Sequence, residues 1–146
     1  MSETVLVADP AAHTAALIAR HLERAGYRVV TAASGPQALA AIDAHRPDAC
    51  VLEVMLGGGL NGYELVRQLR TVDSVPVVLM SARAGKLDRD FAFTVGANDY
   101  FRKPFRCSEL IDRLGQLAPA PRPYVVARPA RSRGCRPRPA IALAGR

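Results

Sequence analysis

Five short runs rich in apolar residues are spread over the first 117 residues of the chain. Each has the length of a strand and falls short of the ten or more residues of a typical helix. The third run is apolar without interruption, which is typical of a strand covered on both faces of a sheet. The predicted strands contain, in order, Thr4–Ala8, Tyr27–Ala32, Cys50–Leu52, Val75–Met80 and Asp99–Arg102.

A helical spacing of apolar residues follows each of these runs. Pro10 suits the first position of the first helix, because the amide that proline lacks has no partner there. Ser34 and Ser108 are placed to cap the second and last helices, and Gly96 to end the fourth. Before the third helix, residues 56–62 include four glycines and predict an irregular loop. In four of the five predicted helices the spacing is marked by a pair of apolar residues, and the fourth helix, over about residues 86–95, has a weaker pattern. The pairs are, in order, Leu17 and Leu22, Leu39 and Ile42, Leu65 and Leu69, and Leu110 and Leu114.

Strict alternation of strands and helices predicts a doubly wound α/β fold with a parallel sheet. In such a fold the carboxyl ends of the strands meet at one edge, where sites are built. Asp9, Glu53, Ser81 and Lys103 each end or follow a strand. We therefore expect two carboxylates, a hydroxyl and an ammonium to converge on one pocket.

The charge of the chain divides it into two parts. The formal net charge is +7, yet residues 1–117 carry thirteen basic and thirteen acidic residues. Residues 118–146 carry seven arginines, no acid and many prolines. We predict one domain over residues 1–117 and a Pro/Arg-rich disordered tail over residues 118–146. The tail solubilises the chain, is a remnant of a lost effector domain, or binds nucleic acid weakly and without sequence specificity.

Several function classes have little support in the sequence. No apolar run approaches the roughly 18 to 20 residues that cross a bilayer, and no signal peptide is visible, so we expect a cytoplasmic protein without membrane contact. The cysteines, Cys50, Cys107 and Cys135, have no metal-ligand spacing. No cofactor loop or second catalytic group accompanies Glu53, so we do not expect an enzyme.

Five motifs, in their proper order, resemble the receiver domain of two-component response regulators. The resemblance covers about residues 3–117. Within the family, these motifs are most similar to those of the branch that carries a C-terminal winged-helix DNA-binding domain. It implies a flavodoxin-like (βα)5 fold with strand order 2-1-3-4-5. The motifs are Val5–Asp9, Val51–Leu56, Asn61–Leu65, Val78–Ala82 and Gly96–Phe105.

The resemblance also implies roles for individual residues. In that family an aspartate after the third strand accepts a phosphoryl group from a histidine kinase, and it holds Mg²⁺ together with two acids after the first strand. Ser81 and Lys103 match the positions that bind the phosphoryl oxygens. Tyr100 matches an aromatic residue that changes rotamer with phosphorylation.

Three departures from the family pattern fall inside this site. Glu53 replaces the acceptor aspartate, Pro10 replaces the second acid beside Asp9, and the loop gains a residue and the run Gly57–Gly59. Pro10 has no side-chain oxygen to offer Mg²⁺, which demands near-octahedral oxygen ligands, so we expect metal binding to be weak or lost. We therefore predict an atypical receiver, or pseudo-receiver, that does not accept a phosphoryl group.

Two interpretations of Glu53 stay open: a fixed charge that mimics the phosphorylated state, or a degenerate site with a structural Glu53–Lys103 pair. The resemblance implies a protein-binding face on the fourth helix, fifth strand and fifth helix, with Asp99, Arg113 and Glu109 as its charged residues and a homodimer as one outcome. The alternatives are an ordinary phosphorylatable receiver that still binds Mg²⁺, and a nucleic-acid binder acting through the tail.

Overall fold

The computed structural model describes residues 3–83 and 85–117 of the chain. Strands and helices alternate throughout this part. The strands are β1 (Thr4–Ala8), β2 (Arg28–Ala32), β3 (Ala49–Glu53), β4 (Val77–Ser81) and β5 (Asp99–Arg102). The helices are α1 (Ala12–Arg24), α2 (Gly35–His45), α3 (Gly62–Leu69), α4 (Lys86–Val95) and α5 (Cys107–Leu117). The predicted tail, residues 118–146, lies outside the described residues.

The five strands form one parallel sheet in the order β2-β1-β3-β4-β5, which confirms the predicted fold. β3 lies at the centre, with Leu52 beside Ala8 of β1 and Glu53 beside Met80 of β4. Every residue of β3 and β4 is buried. The pairing therefore brings the ends of β1, β3 and β4 to one edge of the sheet.

Two hydrophobic cores lie on opposite faces of the sheet, because successive strand residues point to opposite sides. On β3, Cys50 and Leu52 face the core that also receives α2, α3 and α4, whereas Val51 faces the core beneath α1 and α5. Cys50 is fully buried, as predicted. Leu17 was expected in the α1 core but is 47% exposed, because Ile18 and Leu22 already supply the buried stripe of that helix.

The helix ends agree with the sequence at some positions and differ at others. Ser34 caps α2 as predicted, its Oγ accepting a hydrogen bond from the Gln37 amide at 3.2 Å. Ser108 does not cap α5, because the helix already begins at Cys107. Pro10 likewise lies before α1, whose N-terminal cap position is Ala11. Local propensity thus located these helices but missed their first residues by one or two positions.

The glycine-rich loop between β3 and α3 packs against the start of α2. Gly57, Gly58 and Gly59 all have positive φ, between 74° and 80°. A side chain at Gly58 would place its Cβ 2.7 Å from Cδ of Pro36, so glycine is required there by space as well as by φ. The Gly35 amide donates to the Gly57 carbonyl at 3.2 Å. These contacts with α2 therefore fix the position of the loop that follows Glu53.

A membrane-spanning segment would need a long apolar helix, and no helix within residues 3–83 and 85–117 has that length and hydrophobicity.

Candidate functional site

Lys103 joins the two carboxylates at the edge of the sheet. Its Nζ lies 2.6 Å from Oδ2 of Asp9 and 2.5 Å from Oε1 of Glu53. The ion pair predicted between Glu53 and Lys103 is present, and Asp9 takes part as well. Asp9 and Glu53 are both buried, while the Lys103 side chain is 22% exposed. One ammonium thus compensates two desolvated carboxylates.

Glu53 is held at both of its oxygens. Oε1 accepts from Lys103, and Oε2 accepts from the Met55 amide at 3.0 Å. Met55 itself is 67% exposed, so its backbone rather than its side chain contributes to the site. The longer glutamate side chain therefore folds back onto the loop that follows β3, and its second oxygen is used there.

Asp9 serves the helix and the ammonium at the same time. Oδ1 accepts from the Ala11 amide at 2.8 Å, just before α1 begins, and Oδ2 accepts from Lys103. A carboxylate at this end of a helix is also favoured by the helix dipole. Asp9 fills both roles because its carboxylate has two oxygens that point in different directions.

The environment of Lys103 favours its charged form. Burial by itself would lower the pKa of Lys103, but the hydrogen bonds and the negative charges of Asp9 and Glu53 outweigh burial and raise that pKa. The lysine therefore stays an ammonium at every physiological pH. Its peptide bond to Pro104 is cis.

The oxygen atoms of this site do not fit a magnesium ion. Of the four carboxylate oxygens on Asp9 and Glu53, two accept from backbone amides and two from Lys103. Pro10 adds no ligand. In the described part of the chain, no group of three or more histidine, cysteine, aspartate or glutamate side chains is arranged to hold a metal. Mg²⁺ would have to displace the ammonium to reach either carboxylate.

Ser81 and Tyr100 lie next to this site and converge on one residue, Arg83. The Ser81 Oγ accepts from the Arg83 amide at 3.1 Å, and the Tyr100 hydroxyl donates to the Arg83 carbonyl at 2.6 Å. Tyr100 is buried and points inward. A switch drawn toward the charge of Glu53 would bring the Ser81 hydroxyl to that carboxylate, whereas this hydroxyl binds the Arg83 amide in the loop after β4.

The charged residues predicted for a protein-binding face are partly satisfied within the chain. The Arg113 Nε donates to Oδ2 of Asp99 at 2.7 Å. The same guanidinium also donates to Oε1 of Gln116 and to the Asn98 carbonyl. Glu109, in the first turn of α5, is exposed. Asp99 and Arg113 therefore meet across β5 and α5 of one molecule.

Sequence reasoning missed two contributors to the site. The backbones of Met55 and Arg83 carry no signal in the sequence, because any residue has an amide and a carbonyl.

Comparisons with known proteins agree on one family. A family model described as "Response regulator receiver domain" matches residues 5–115. The chain is 41% identical to the transcriptional regulatory protein TcrA of Mycobacterium tuberculosis over 123 residues, which are 82% of this chain and 48% of that protein. It is 36% identical to the alkaline phosphatase synthesis transcriptional regulatory protein PhoP of Bacillus subtilis over 115 residues, 78% of this chain and 48% of that protein. The chain thus spans about half the length of these relatives.

Solved structures show the same likeness. The receiver domain of the Francisella response regulator 1452 is 31% identical, with a TM-score of 0.76, over 80% of this chain and 97% of that one. The BeF3-activated receiver domain of Klebsiella pneumoniae RstA is 26% identical, also with a TM-score of 0.76, over 80% of this chain and 99% of that one.

Proposed function

Because this chain belongs to the response regulator receiver family of two-component signalling, we propose that it is an atypical member that signals through protein contacts without accepting a phosphoryl group. The single observation that carries the proposal is the Lys103 ammonium bound to Glu53 and Asp9. In the family, the matching lysine binds the incoming phosphoryl group. Here it is already neutralised by carboxylates of its own chain.

Geometry argues against phosphoryl transfer to Glu53. The reaction depends mainly on positioning and charge neutralisation, and a misplacement of about 1 Å can cost on the order of 100-fold in rate. The Glu53 side chain is one methylene longer than that of aspartate, and its Oε2 accepts a hydrogen bond from the Met55 amide. With Pro10 in place of an acid, the metal that would neutralise the reacting charges lacks a ligand.

Asp9, Glu53 and Lys103 form an ion cluster, and its Glu53 carboxylate supplies part of the negative charge of a phosphorylated site. A phosphoryl group carries roughly −1.5 to −2 charges at neutral pH, whereas Glu53 carries one. The side chains of the cluster occupy the pocket where a phosphoryl group would bind. The protein-binding surface on α4, β5 and α5 would then have one constant shape. A protein partner that recognises this surface would respond to the amount of the protein rather than to its phosphorylation.

Incubation with acetyl phosphate and Mg²⁺ followed by intact-mass spectrometry tests the proposal. The wild-type chain is expected to keep its mass. The double variant Glu53→Asp with Pro10→Asp restores both missing acids and is the matched control, expected to gain the mass of one phosphoryl group. A stoichiometric adduct on Glu53 of the wild type would show an ordinary phosphorylatable receiver and overturn the proposal.

A second candidate function rests on the seven arginines within residues 118–146, where no acid occurs. Such a segment would bind nucleic acid by neutralising phosphates, with affinity that falls steeply with salt. Fluorescence anisotropy of a labelled duplex at two salt concentrations tests for nucleic-acid binding. The measurement compares the 146-residue chain with a variant of the same length whose seven tail arginines are glutamine. Equal binding by both proteins would exclude it.

A further inference from the structure

β5 lies at one edge of the sheet, and its inner side is paired with β4. On that side the amide of Lys103 donates to the Ser81 carbonyl at 2.8 Å. Because the backbone groups of alternate residues in a strand point the same way, Phe101 also bonds to β4, whereas Tyr100 and Arg102 direct their amides and carbonyls outward. An open edge of this kind is a template on which another strand can pair.

Side chains of the same molecule occupy both outward groups of Tyr100. Its carbonyl accepts a hydrogen bond from the Arg89 guanidinium of α4 at 2.9 Å, and its amide donates to Oδ1 of Asp99 at 2.7 Å. Tyr100 is only 2% exposed although it belongs to an edge strand. At this residue the edge is therefore closed both to water and to a second strand.

A second arginine reaches the edge from the other face of the sheet. Arg113 of α5 donates through Nε to Oδ2 of Asp99 at 2.7 Å and through Nη2 to the Asn98 carbonyl at 3.3 Å. α4 packs into the core on one face of the sheet, and α5 packs into the core on the opposite face. The Asp99 carboxylate that receives the Tyr100 amide is thus held in turn by Arg113.

Further contacts keep both guanidinium groups at the edge. Arg89 lies over the ring of Phe93, with its guanidinium carbon 5.9 Å from the ring centroid. Arg113 also donates to Oε1 of Gln116 at 2.9 Å. A planar guanidinium carries five N–H donors, so each of these arginines can bind a backbone carbonyl and a second group at the same time. Their donors are directed at the edge and not at the ion cluster.

Pairing with a second copy would need the groups that these side chains occupy. Two copies joined at this edge by a two-fold axis place their β5 strands antiparallel. With that axis at Phe101, Tyr100 of each copy lies opposite Arg102 of the other, and the two residues exchange both N–H···O=C bonds. Every bond of such a pair uses an amide or a carbonyl of Tyr100, so closing that one residue blocks the whole ladder.

We propose that Arg89 and Arg113 hold the outer edge of β5 closed against antiparallel pairing with β5 of a second copy of this chain. Arg89 occupies the Tyr100 carbonyl directly, and Arg113 holds the carboxylate that occupies the Tyr100 amide. A displacement of α4 that carried Arg89 away would open only the carbonyl, so both helices control the edge. The inference goes beyond the proposed function, because it concerns backbone groups of β5 and not the chemistry of Glu53.

Analytical ultracentrifugation of the 146-residue chain tests the closed edge. The double variant Arg89→Met with Arg113→Met removes the donors and keeps long, unbranched side chains. Its weight-average mass is expected to rise with protein concentration, up to about twofold above that of the wild type. Each single variant keeps one arginine at the edge and is expected to match the wild type. A double variant that never exceeds the wild-type mass would overturn the proposal.

Two further variants show whether the association uses the edge. Arg102→Pro, added to the double variant, removes one outward amide and keeps the ladder between β5 and β4, so the mass is expected to return to the wild-type value. Arg20→Met with Arg24→Met removes the same charge from exposed positions of α1 and is expected to cause no rise. Association that survives Arg102→Pro, or that appears in the α1 variant, would contradict edge pairing.

Hydrogen exchange gives a readout that does not depend on the double variant. Arg113→Met releases the Asp99 carboxylate and is expected to speed exchange of the Tyr100 amide about fivefold, the effect of one ordinary hydrogen bond. Unchanged exchange would show that Arg113 does not hold this carboxylate and would remove it from the proposal. Each variant is first shown to be folded by its cooperative urea transition. The acetyl phosphate result is independent of these measurements, so this proposal and the proposed function fail separately.

Discussion

The Lys103 ammonium lies 2.5 Å from Oε1 of Glu53, although the two residues are 50 positions apart in the chain. Asp9 binds the same ammonium at 2.6 Å. Because a single cation compensates two buried carboxylates, it matters more to the folded state than an exposed lysine does. This relationship leads directly to two predictions about stability.

Replacing Lys103 with methionine is expected to lower the free energy of unfolding by about 2 to 4 kcal/mol at neutral pH, since two buried carboxylates then face each other without a counter-charge. The partial exposure of Lys103 keeps the value below that of a fully buried pair. Urea unfolding measures it. Lys86→Met, which breaks the exposed Lys86–Asp90 pair, is the matched control, with an expected cost below about 0.5 kcal/mol. Equal costs for the two variants would contradict the role of Lys103.

The raised pKa of Lys103 predicts how stability depends on pH. A group whose pKa is higher in the folded state stabilises the protein fully below its unfolded pKa, here 10.5, and loses that contribution as pH rises toward the folded pKa. The wild type should therefore lose stability above that pH more steeply than Lys103→Met. Urea unfolding of both proteins across the alkaline range gives the two slopes, and parallel slopes would exclude the effect.

The contact between Asp99 and Arg113 predicts a coupling within one molecule. A double-mutant cycle with Asp99→Asn and Arg113→Met should give a coupling energy of about 0.5 to 1 kcal/mol for this partly exposed pair. Because both groups belong to the same chain, the coupling should not depend on protein concentration. A coupling that grows with concentration would instead show an ion pair between two copies.

The glycine run predicts a position-specific cost in the loop. Gly58→Ala is expected to destabilise the protein by about 2 to 4 kcal/mol, because it combines a positive φ with a contact of 2.7 Å to Pro36. Gly59→Ala, at a similar φ but with open space around it, should cost only about 1 to 2 kcal/mol. Thermal unfolding compares the two. The two variants would cost about the same if the loop did not pack on α2.

Much of the fold was predictable because it depends on local patterns. Apolar runs of strand length and amphipathic spacing predicted every strand and helix, and their alternation predicted the parallel sheet. The predicted first residues of α1 and α5 were wrong. Pro10 and Ser108 suit helix starts, but the Asp9 side chain already accepts from the Ala11 amide, and α5 begins one residue before Ser108.

The sequence by itself determined which groups gather at the edge of the sheet, since parallel strands end on the same side and each of Asp9, Glu53, Ser81 and Lys103 ends or follows a strand. Only the tertiary structure decided how these groups pair. That Lys103 binds both carboxylates, and that the Tyr100 hydroxyl binds Arg83, depends on angles and distances between segments as far as 94 residues apart. Hydrogen bonds and ion pairs depend on tenths of an ångström, which no periodicity in a sequence specifies.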